Sequence, residues 1–248
     1  MPHQSETDRL RELEARVALR TAELAASNKE LEAFCYAVSH DLRAPLRSID
    51  GFAYALMQDY GSKLDEDGVE FIDRIRSAAK RMDDLISALL SLSRLTTVEM
   101  EPQTIEVSEL AHEVVSELNQ RYADRPPAVS IQSCLTVRGD RRMLRAVLEN
   151  LFGNAFKFSA SVPHPKIEFG LHEEQGCFYV RDNGVGFDMT QSSKLFQPFE
   201  RMHGPREFPG SGIGLATVLR IVRKHGGTVR AEAEVGKGAT FYFTLNAP

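Results

Sequence analysis

The sequence lacks the features that mark several large classes of protein. It has no tryptophan and only three cysteines, Cys35, Cys134 and Cys177, which lie far apart and form no CxxC pair. This spacing argues against a disulfide scaffold or a zinc ribbon and favours a reducing compartment. No uncharged apolar run approaches the roughly 18 residues of a membrane-spanning helix, and the first residues are not the apolar stretch of a signal peptide. We therefore expect a cytoplasmic chain with no membrane segment.

Positive charge is also scarce. The 30 lysines and arginines are outnumbered by 35 aspartates and glutamates, which gives a net charge of −5. Nucleic-acid-binding domains usually carry a basic surface, so no nucleic-acid partner is expected. Apolar residues are plentiful: they make up 42% of 248 residues, which is enough for one large domain or two modest ones.

Residues 1–35 predict a coiled-coil signalling helix. Residues 6–35 contain no glycine or proline, and apolar residues recur every seven positions. These positions are Leu10, Val17, Leu24, Leu31 and Val38. Such a stripe suits a parallel coiled coil, although Arg20 and Ser27 interrupt its second seam. A single amphipathic helix that lies on its own domain is the alternative.

Residues 36–95 predict a helical hairpin. The first helix is expected to continue through residues 36–58 with a kink at Pro45, and the second to run from about Gly68 to Arg94. The second helix has an apolar stripe at Ile72, Ile75, Ala79, Met82, Ile86 and Leu89. One hairpin alone leaves such a stripe exposed, whereas two copies bury it in a dimeric four-helix bundle. The pattern therefore predicts a homodimer.

Residues 96–104 predict a linker, and the pattern of apolar residues changes beyond it. Short β-like runs alternate with helical segments over 105–248, which predicts an α/β sandwich with a mixed sheet covered by helices. The expected strands are 129–132, 135–138, 166–171, 178–181, 228–233 and 240–245. The expected helices are 108–122, 141–158 and 211–225. The predicted fold class is therefore α + α/β, in two domains.

Three polar side chains share one face of the predicted helix 141–158. Asn150, Asn154 and Lys157 are spaced at i, i+4 and i+7. Two amides and an ammonium on one stripe suit a hydrated Mg²⁺ ion that carries phosphates. A solvated polar face is an equally good interpretation of this cluster alone.

Two glycine clusters follow. Asp182 ends an apolar strand, and Gly184 and Gly186 after it would let the backbone approach a planar ring, while the carboxylate accepts from an exocyclic amine. By itself, this motif more often marks a turn. The second cluster, Gly210–Leu215, opens a predicted helix, where free amides and the helix dipole can hold phosphate. A flexible turn is its alternative.

Two other features complete the candidates. The long loop Asp188–Pro209 contains Phe196, Phe199 and Arg201, and a loop of this length is usually functional. His40 lies on the outer side of the first hairpin helix with Asp41 beside it, and a carboxylate beside an imidazole can sharpen its nucleophilicity. A solvated surface histidine is the alternative.

In this order and spacing, the clusters resemble the catalytic core of sensor histidine kinases of two-component systems. Ser39–Leu46 is similar to the phosphoacceptor box, Asn150–Phe158 to the N box, Asp182–Gly186 to the G1 box, Lys194–Arg201 to the F box and Gly210–Gly214 to the G2 box. The stretch FCYAVSHDLRAPLRSIDGF resembles the phytochrome-like branch of that family.

The resemblance implies a Bergerat-type ATP-binding fold and a protein-histidine kinase. His40 would accept the γ-phosphoryl group of ATP, Asp41 would orient the ring and act as base, and Asn154 would hold Mg²⁺. The nucleotide site would contain Asn150, Asn154, Lys157, Asp182, Gly184, Gly186, Phe196, Phe199, Arg201, Gly210, Gly212, Gly214, Leu215 and Thr240. The linker would let the ATP-binding domain swing toward His40.

The resemblance also implies partners. The phosphoryl group would pass to an aspartate in the receiver domain of a response regulator. An upstream sensor domain, which these 248 residues do not contain, would supply the input. The intact protein would be membrane-anchored if that sensor region is a membrane domain.

One position departs from the pattern of the family. Members with phosphatase activity carry a polar residue four positions after the histidine, where this chain has Ala44, so weak or absent phosphatase activity is expected.

Two other functions stay open. The chain could instead be a degenerate nucleotide-binding scaffold. It could also be an ATPase of the gyrase and chaperone group, whose water-activating glutamate would stand where this chain has Asn150, next to Glu149.

Overall fold

The chain was analysed as a computed structural model, which describes residues 2–97, 99–123, 125–202, 208, 210 and 212–246. The chain divides into two compact units, Met1–Val98 and Glu99–Pro248. Some positions used above are outside the described part: the side chains of Leu10, Leu89 and Arg94, and residues 203–207, 209 and 211. Within the described part, no helix has the length and apolar content to cross a membrane.

The first unit is a pair of long helices. Helix α1 covers Pro2–Tyr60 and α2 covers Glu66–Thr97, with a 3₁₀ turn at Gly61–Lys63 between them. Helix α1 continues through Pro45, so the predicted arm and the first hairpin helix are one continuous element. A carboxylate oxygen of Asp65 accepts from the N–H of Gly68 at 2.8 Å and so caps the start of α2.

One hairpin buries only part of its apolar surface. Leu46, Ala79 and Ile86 form a buried cluster between the helices. Other apolar residues stay open to solvent: Val17, Leu24, Leu31, Leu42, Ile49, Phe52, Ile75 and Met82. Phe52 is 74% exposed, an unusual position for a large aromatic side chain. The unpartnered row agrees with the predicted bundle and coiled coil, which remain predictions for a single chain.

The second unit is an α/β sandwich. Its five-stranded sheet has the order β2-β4-β5-β7-β6, and β2 is parallel to β4 while the other pairs are antiparallel. The strands are β2 Ala128–Ile131, β4 Lys166–His172, β5 Cys177–Asp182, β6 Val229–Glu234 and β7 Gly238–Phe243. The helices are α3 Val107–Arg121, α4 Arg141–Ser159 and α5 Gly214–Lys224. The predicted mixed sheet with helices is confirmed.

Aromatic residues fill the space between α4 and the sheet. Phe152 on α4 meets Phe169 on β4 edge-on, with 5.8 Å between ring centroids. Phe169 stacks on Phe178, which in turn stacks on Phe243, so the rings cross three neighbouring strands. This core holds α4 against the sheet and fixes the face of α4 that turns away from it.

A small second sheet begins the sandwich domain. Strand β1, Gln103–Glu106, pairs antiparallel with β3, Thr136–Gly139. Since α2 reaches Thr97, both α2 and β1 extend into the segment 96–104 that the sequence predicts as a linker. Strand β1 was not predicted because its first residues belong to the polar segment 96–104, whose composition indicates a linker.

Candidate active site

His40 lies on the exposed side of α1. Its side chain is 73% exposed, and Nδ1 is 3.3 Å from a carboxylate oxygen of Asp41. When Nδ1 carries the proton and donates to Asp41, Nε2 is the unprotonated ring nitrogen and can act as a nucleophile. One turn further, Arg43 reaches across to α2, where it contacts Asp83 and Ser87 at 3.3 and 2.9 Å. These contacts fix α1 against α2 beside the histidine.

The second unit contains a cavity of about 200 Å³. Ten residues that the sequence predicts for the nucleotide site line it: Asn150, Asn154, Lys157, Asp182, Gly186, Arg201, Gly210, Gly212, Gly214 and Leu215. They come from α4, from the end of β5, from the loop 188–209, which contributes Arg201, and from the segment that opens α5. The fold thus brings four separate sequence clusters to one place.

The polar face of α4 points into the cavity. The opposite face carries the buried residues Leu148, Leu151 and Phe152, so Asn150 and Asn154 turn away from the core. The Nδ2 group of Asn150 donates to the carbonyl oxygen of Ala146 at 2.7 Å. Its Oδ1 would lie 2.4 Å from a Cβ atom at position 214, so any larger residue there would displace the Asn150 amide.

Asp182 is a buried carboxylate at the end of β5. Burial raises its pKa to about 6, although the N–H groups of Gly184 and Ala239 donate to it and lower the pKa. The Gly184 N–H lies 2.8 Å from Oδ1. A carboxylate in this position can accept from an exocyclic amine of a planar ring, as the sequence predicts.

Gly184 and Gly186 are required by close backbone packing. A Cβ atom on Gly184 would lie 2.4 Å from the carbonyl oxygen of Phe158, and one on Gly186 would lie 2.0 Å from that of Glu234. Gly186 also has a positive φ of 60°. Both glycines therefore let the β5 turn lie directly against neighbouring backbone.

Two cations face the cavity. Burial, and to a smaller extent the positive charge of Arg201, lower the pKa of Lys157 to about 8. The Nζ atom of Lys157 lies 4.0 Å from the centre of the Phe158 ring. Because a bound anion would relieve the repulsion between the two cations, the pair favours an anionic ligand such as a phosphate chain.

The glycine segment leads into α5 at the cavity wall. Gly212 has a φ of 74°, and its carbonyl oxygen accepts from the N–H of Phe199 at 3.0 Å. Helix α5 begins at Gly214, so its first N–H groups have no partner within the helix. Together with the helix dipole, they form a site that suits a phosphate.

Four predicted residues do not line the cavity: Gly184, Phe196, Phe199 and Thr240. The Thr240 hydroxyl instead lies 3.3 Å from Nε of Arg181, on the opposite face of the sheet. Its neighbours Ala239 and Phe241 are the β7 residues that reach the cavity, since side chains alternate along a strand. Phe199 is 51% exposed.

Other lining residues were not singled out from the sequence: Phe158, Phe187, Leu195, Glu200, Met202, Phe208, Ala239 and Phe241. The period of two along β7 groups Ala239 with Phe241 on one face and puts Thr240 on the other, but it does not identify which face meets the cavity. Residues 203–207 and 209 of the predicted loop, with Ser211 after it, lie outside the described part.

The donor chemistry fits Mg²⁺ better than a transition metal. Among the described residues, no group of three or more histidine, cysteine or acidic side chains could hold a metal ion. The cavity instead offers the amide oxygens of Asn150 and Asn154 beside cations that suit phosphate. An ion that keeps its waters and shares phosphate oxygens needs few protein ligands.

Two family descriptions match successive parts of the chain. Residues 30–98 match the His Kinase A (phospho-acceptor) domain. Residues 139–248 match the histidine kinase-, DNA gyrase B-, and HSP90-like ATPase domain. The first match contains His40, and the second contains every residue that lines the cavity.

Known proteins are similar along most of the chain. Cyanobacterial phytochrome B of Nostoc sp. is 37% identical over 90% of this chain and 30% of its own length. The methanogenesis regulatory histidine kinase FilI of Methanothrix harundinacea is 40% identical over 92% of this chain and 26% of its own. The chain thus spans less than a third of these relatives.

A solved structure of full-length ShkA in complex with AMPPNP has the same fold. It superimposes with a TM-score of 0.62 at 24% identity and covers 86% of this chain and 45% of its own. A phospho-acceptor hairpin that carries His40, followed by an ATPase domain that carries the cavity, places this chain in the sensor histidine kinase family as a catalytic core.

Proposed function

We propose that this chain is an ATP-dependent protein-histidine kinase that phosphorylates His40 and passes the phosphoryl group to an aspartate of a response regulator. The observation that carries the proposal is the cavity in which Asn154, Lys157 and Asp182 meet, in the same chain as an exposed histidine beside a carboxylate. The family supplies the expectation that these two parts act together.

The first step is a phosphoryl transfer. The Nε2 lone pair of His40 attacks the γ-phosphorus, a P–N bond forms, and the bond to the bridging oxygen of ADP breaks. As positive charge develops on the ring, the proton on Nδ1 would pass to Asp41, which holds the tautomer before the transfer and then acts as the base. In the second step an aspartate oxygen of the regulator attacks the same phosphorus and the P–N bond breaks.

The cavity residues have separable tasks in this reaction. Asp182 would accept from the adenine amino group, and Lys157 and Arg201 would neutralise phosphate charge. Mg²⁺, held by Asn154 with Asn150 beside it, would neutralise the charge that develops on the phosphates. The amides at the start of α5 would orient the phosphate chain.

We further propose that the active form is a homodimer with an upstream sensor domain. The exposed row Leu42, Ile49, Ile75 and Met82 gives a second hairpin a surface to cover, and a four-helix bundle buries such a row. The stripe at Val17, Leu24 and Leu31 would carry the input from the sensor along a parallel coiled coil.

The contacts of Glu149 weigh against an ATPase of the gyrase type. Its Oε1 accepts from Nε of Arg145 at 2.9 Å, and the same guanidinium binds Glu113 and Glu117 on α3. Glu149 therefore lies in a surface ion-pair network that faces α3. The position that the ATPases use for a glutamate base holds Asn150, whose amide is a poor base.

The test is incubation of the chain with labelled ATP and Mg²⁺. We expect an acid-labile, alkali-stable label on the wild type and none on His40→Gln. The matched control is His112→Gln, which removes another exposed histidine and should keep the label. Nucleotide binding without label in the wild type would favour the scaffold, and steady hydrolysis without phosphohistidine would favour the ATPase.

Phosphatase activity toward the regulator is expected to be weak or absent. Ala44 is one turn after His40, and its methyl group cannot align a water molecule for attack on an aspartyl phosphate. A receiver domain is first phosphorylated by the chain itself, and ATP is then removed. The measurement is the rate at which the domain loses its aspartyl phosphate when ADP is present. Rapid decay that depends on the hairpin would contradict this expectation, and Ala44→Thr is the variant expected to accelerate it.

A further inference from the structure

A chain of hydrogen bonds joins three parts of the ATP-binding domain at Asp140. The N–H of Glu101, at the exit of the linker, donates to Oδ2 of Asp140 at 3.1 Å. The N–H of Asp140 donates to Nε2 of His225 at 3.1 Å, and Nδ1 of His225 lies 2.9 Å from the carbonyl oxygen of Ile221. We refer to these four residues as the Asp140 junction.

The two partners of His225 fix the roles of its ring nitrogens. Its Nε2 faces an N–H donor and must accept, so Nδ1 carries the proton and donates to Ile221. The residue is 1% exposed, and a Cβ atom on Gly139 would lie 3.1 Å from the ring. A side chain that is so closely packed cannot exchange its partners for water.

The two carboxylate oxygens of Asp140 bind different parts of the domain. Oδ1 accepts from the N–H groups of Arg142 and Met143 and caps α4, while Oδ2 accepts from Glu101 and from the Arg142 guanidinium. Burial raises the pKa of Asp140, but these hydrogen bonds outweigh burial and hold the pKa below its ordinary value. The charged carboxylate can thus bind the linker and the helix at once.

Helices α4 and α5 both run from the junction to the cavity. Along the axis of α4, Asn154 is about 21 Å from Asp140. Along the axis of α5, Gly214 is about 16 Å from His225. The helices meet again at the cavity, where Asn150 lies against Gly214. The junction therefore fixes the far ends of the two helices that carry five of the candidate nucleotide-binding residues: Asn150, Asn154, Lys157, Gly214 and Leu215.

The junction also shortens the free part of the linker. Helix α2 ends at Thr97 and Glu101 is bound to Asp140, so residues 98–100 alone connect the two. Extended chain between the Cα atoms of Thr97 and Glu101 spans at most about 14 Å. Without the Glu101 contact, the free segment would reach to Gln103, the start of β1, and span about 21 Å.

We propose that Asp140 and His225 are positioning residues for the phosphorylation of His40. This inference rests on the proposed kinase function. The contact between Asp140 and Glu101 keeps the tether short, which raises the effective concentration of bound ATP near His40. The contact between Asp140 and His225 keeps α4 and α5 in register, which supports nucleotide binding.

The first test breaks the contact with the linker. Glu101→Pro removes the N–H donor, and Asp140→Asn replaces one carboxylate oxygen with an amide nitrogen while asparagine still caps α4 well. We expect both to lower the rate of His40 phosphorylation at saturating ATP about twofold, because effective concentration falls as about the −3/2 power of the tether length, and to leave nucleotide affinity unchanged. Glu101→Ala keeps the N–H and should match the wild type.

The second test breaks the contact between the helices. His225→Leu leaves the buried N–H of Asp140 without an acceptor and should weaken nucleotide binding about tenfold. His225→Gln places an amide oxygen near the position of Nε2 and should recover binding to within about threefold of the wild type. Equal loss in both variants would overturn the assigned role of His225.

Amide hydrogen exchange separates failure of this inference from failure of the proposed function. Protection at Glu101, and its loss in Asp140→Asn, are measured without catalysis. If the wild type forms no phosphohistidine, the proposed function fails, and the exchange result still decides whether the junction exists. If phosphorylation by Glu101→Pro equals that of Glu101→Ala, or if Glu101 exchanges freely in the wild type, the positioning role is overturned.

Discussion

Nucleotide binding should change the protonation of two cavity residues in opposite directions. Before nucleotide binds, the pKa of Asp182 is about 6 and that of Lys157 is about 8. An adenine amino group that donates to Asp182 favours the carboxylate, whereas phosphate beside Lys157 favours the ammonium. Binding should therefore release a proton from Asp182 and take up a proton on Lys157.

The size of each effect follows from the two pKa values. At pH 6 about half of the Asp182 side chains carry a proton, so binding should release about half a proton. At pH 8 about half of the Lys157 side chains have lost theirs, so binding should take up about half a proton. Near pH 7 each residue contributes about a tenth, and the two nearly cancel.

The assay is calorimetric titration with Mg²⁺-saturated nucleotide in buffers of different ionisation enthalpy. We expect proton release near pH 6, uptake near pH 8 and a change of sign near pH 7. Asp182→Asn should abolish the release that the cavity contributes, and Lys157→Met should abolish the uptake. A proton balance that both variants share with the wild type would refute the reasoning, because it would come from the nucleotide alone.

The same burial of Asp182 affects the stability of the domain. An acid whose pKa is raised from 3.8 to about 6 by folding stabilises the folded state below pH 4, and this contribution is lost as the pH rises through 6. At neutral pH, the ionised and buried Asp182 lowers the free energy of unfolding by about 3 kcal/mol. Bound nucleotide would offset part of it.

Two substitutions follow directly from the packing. Gly214→Ala would place a methyl group 2.4 Å from Oδ1 of Asn150, so nucleotide affinity should fall at least about tenfold while the thermal midpoint changes little, as differential scanning fluorimetry can verify. Phe152→Ala removes a fully buried ring that meets Phe169, so urea denaturation should show a loss of about 3–5 kcal/mol, and a loss below about 1 kcal/mol would contradict the packing.

The sequence predicts the cavity-lining residues of α4 better than it predicts those of β7. Asn150, Asn154 and Lys157 could be placed on one face because a helix has a fixed period, and they line the cavity. Thr240 was assigned by resemblance, but the register of β7 turns it to the opposite face, where it meets Arg181. Choosing the correct face needs the strand pairing, which sequence does not provide.

The Asp140 junction shows a second limit of prediction from sequence. Asp140 ahead of a helical run could be predicted as an N-cap, since aspartate is common there. Its contacts with Glu101 and His225 join residues 39 and 85 positions away, and no local period or propensity indicates them. Strand β1 escaped prediction for a related reason, because its pairing with β3 rather than its own composition makes it a strand.

Helix α1 connects the arm to the histidine as one rod. Its 59 residues span about 88 Å, and no break separates the predicted coiled-coil seam from His40. The direction in which His40 points is therefore set by the number of residues between the seam and the histidine. One inserted residue would turn His40 by about 100° relative to the seam, and seven would return it to within about 20°. If the predicted seam forms, the spacing between it and His40 thus determines the orientation of the histidine.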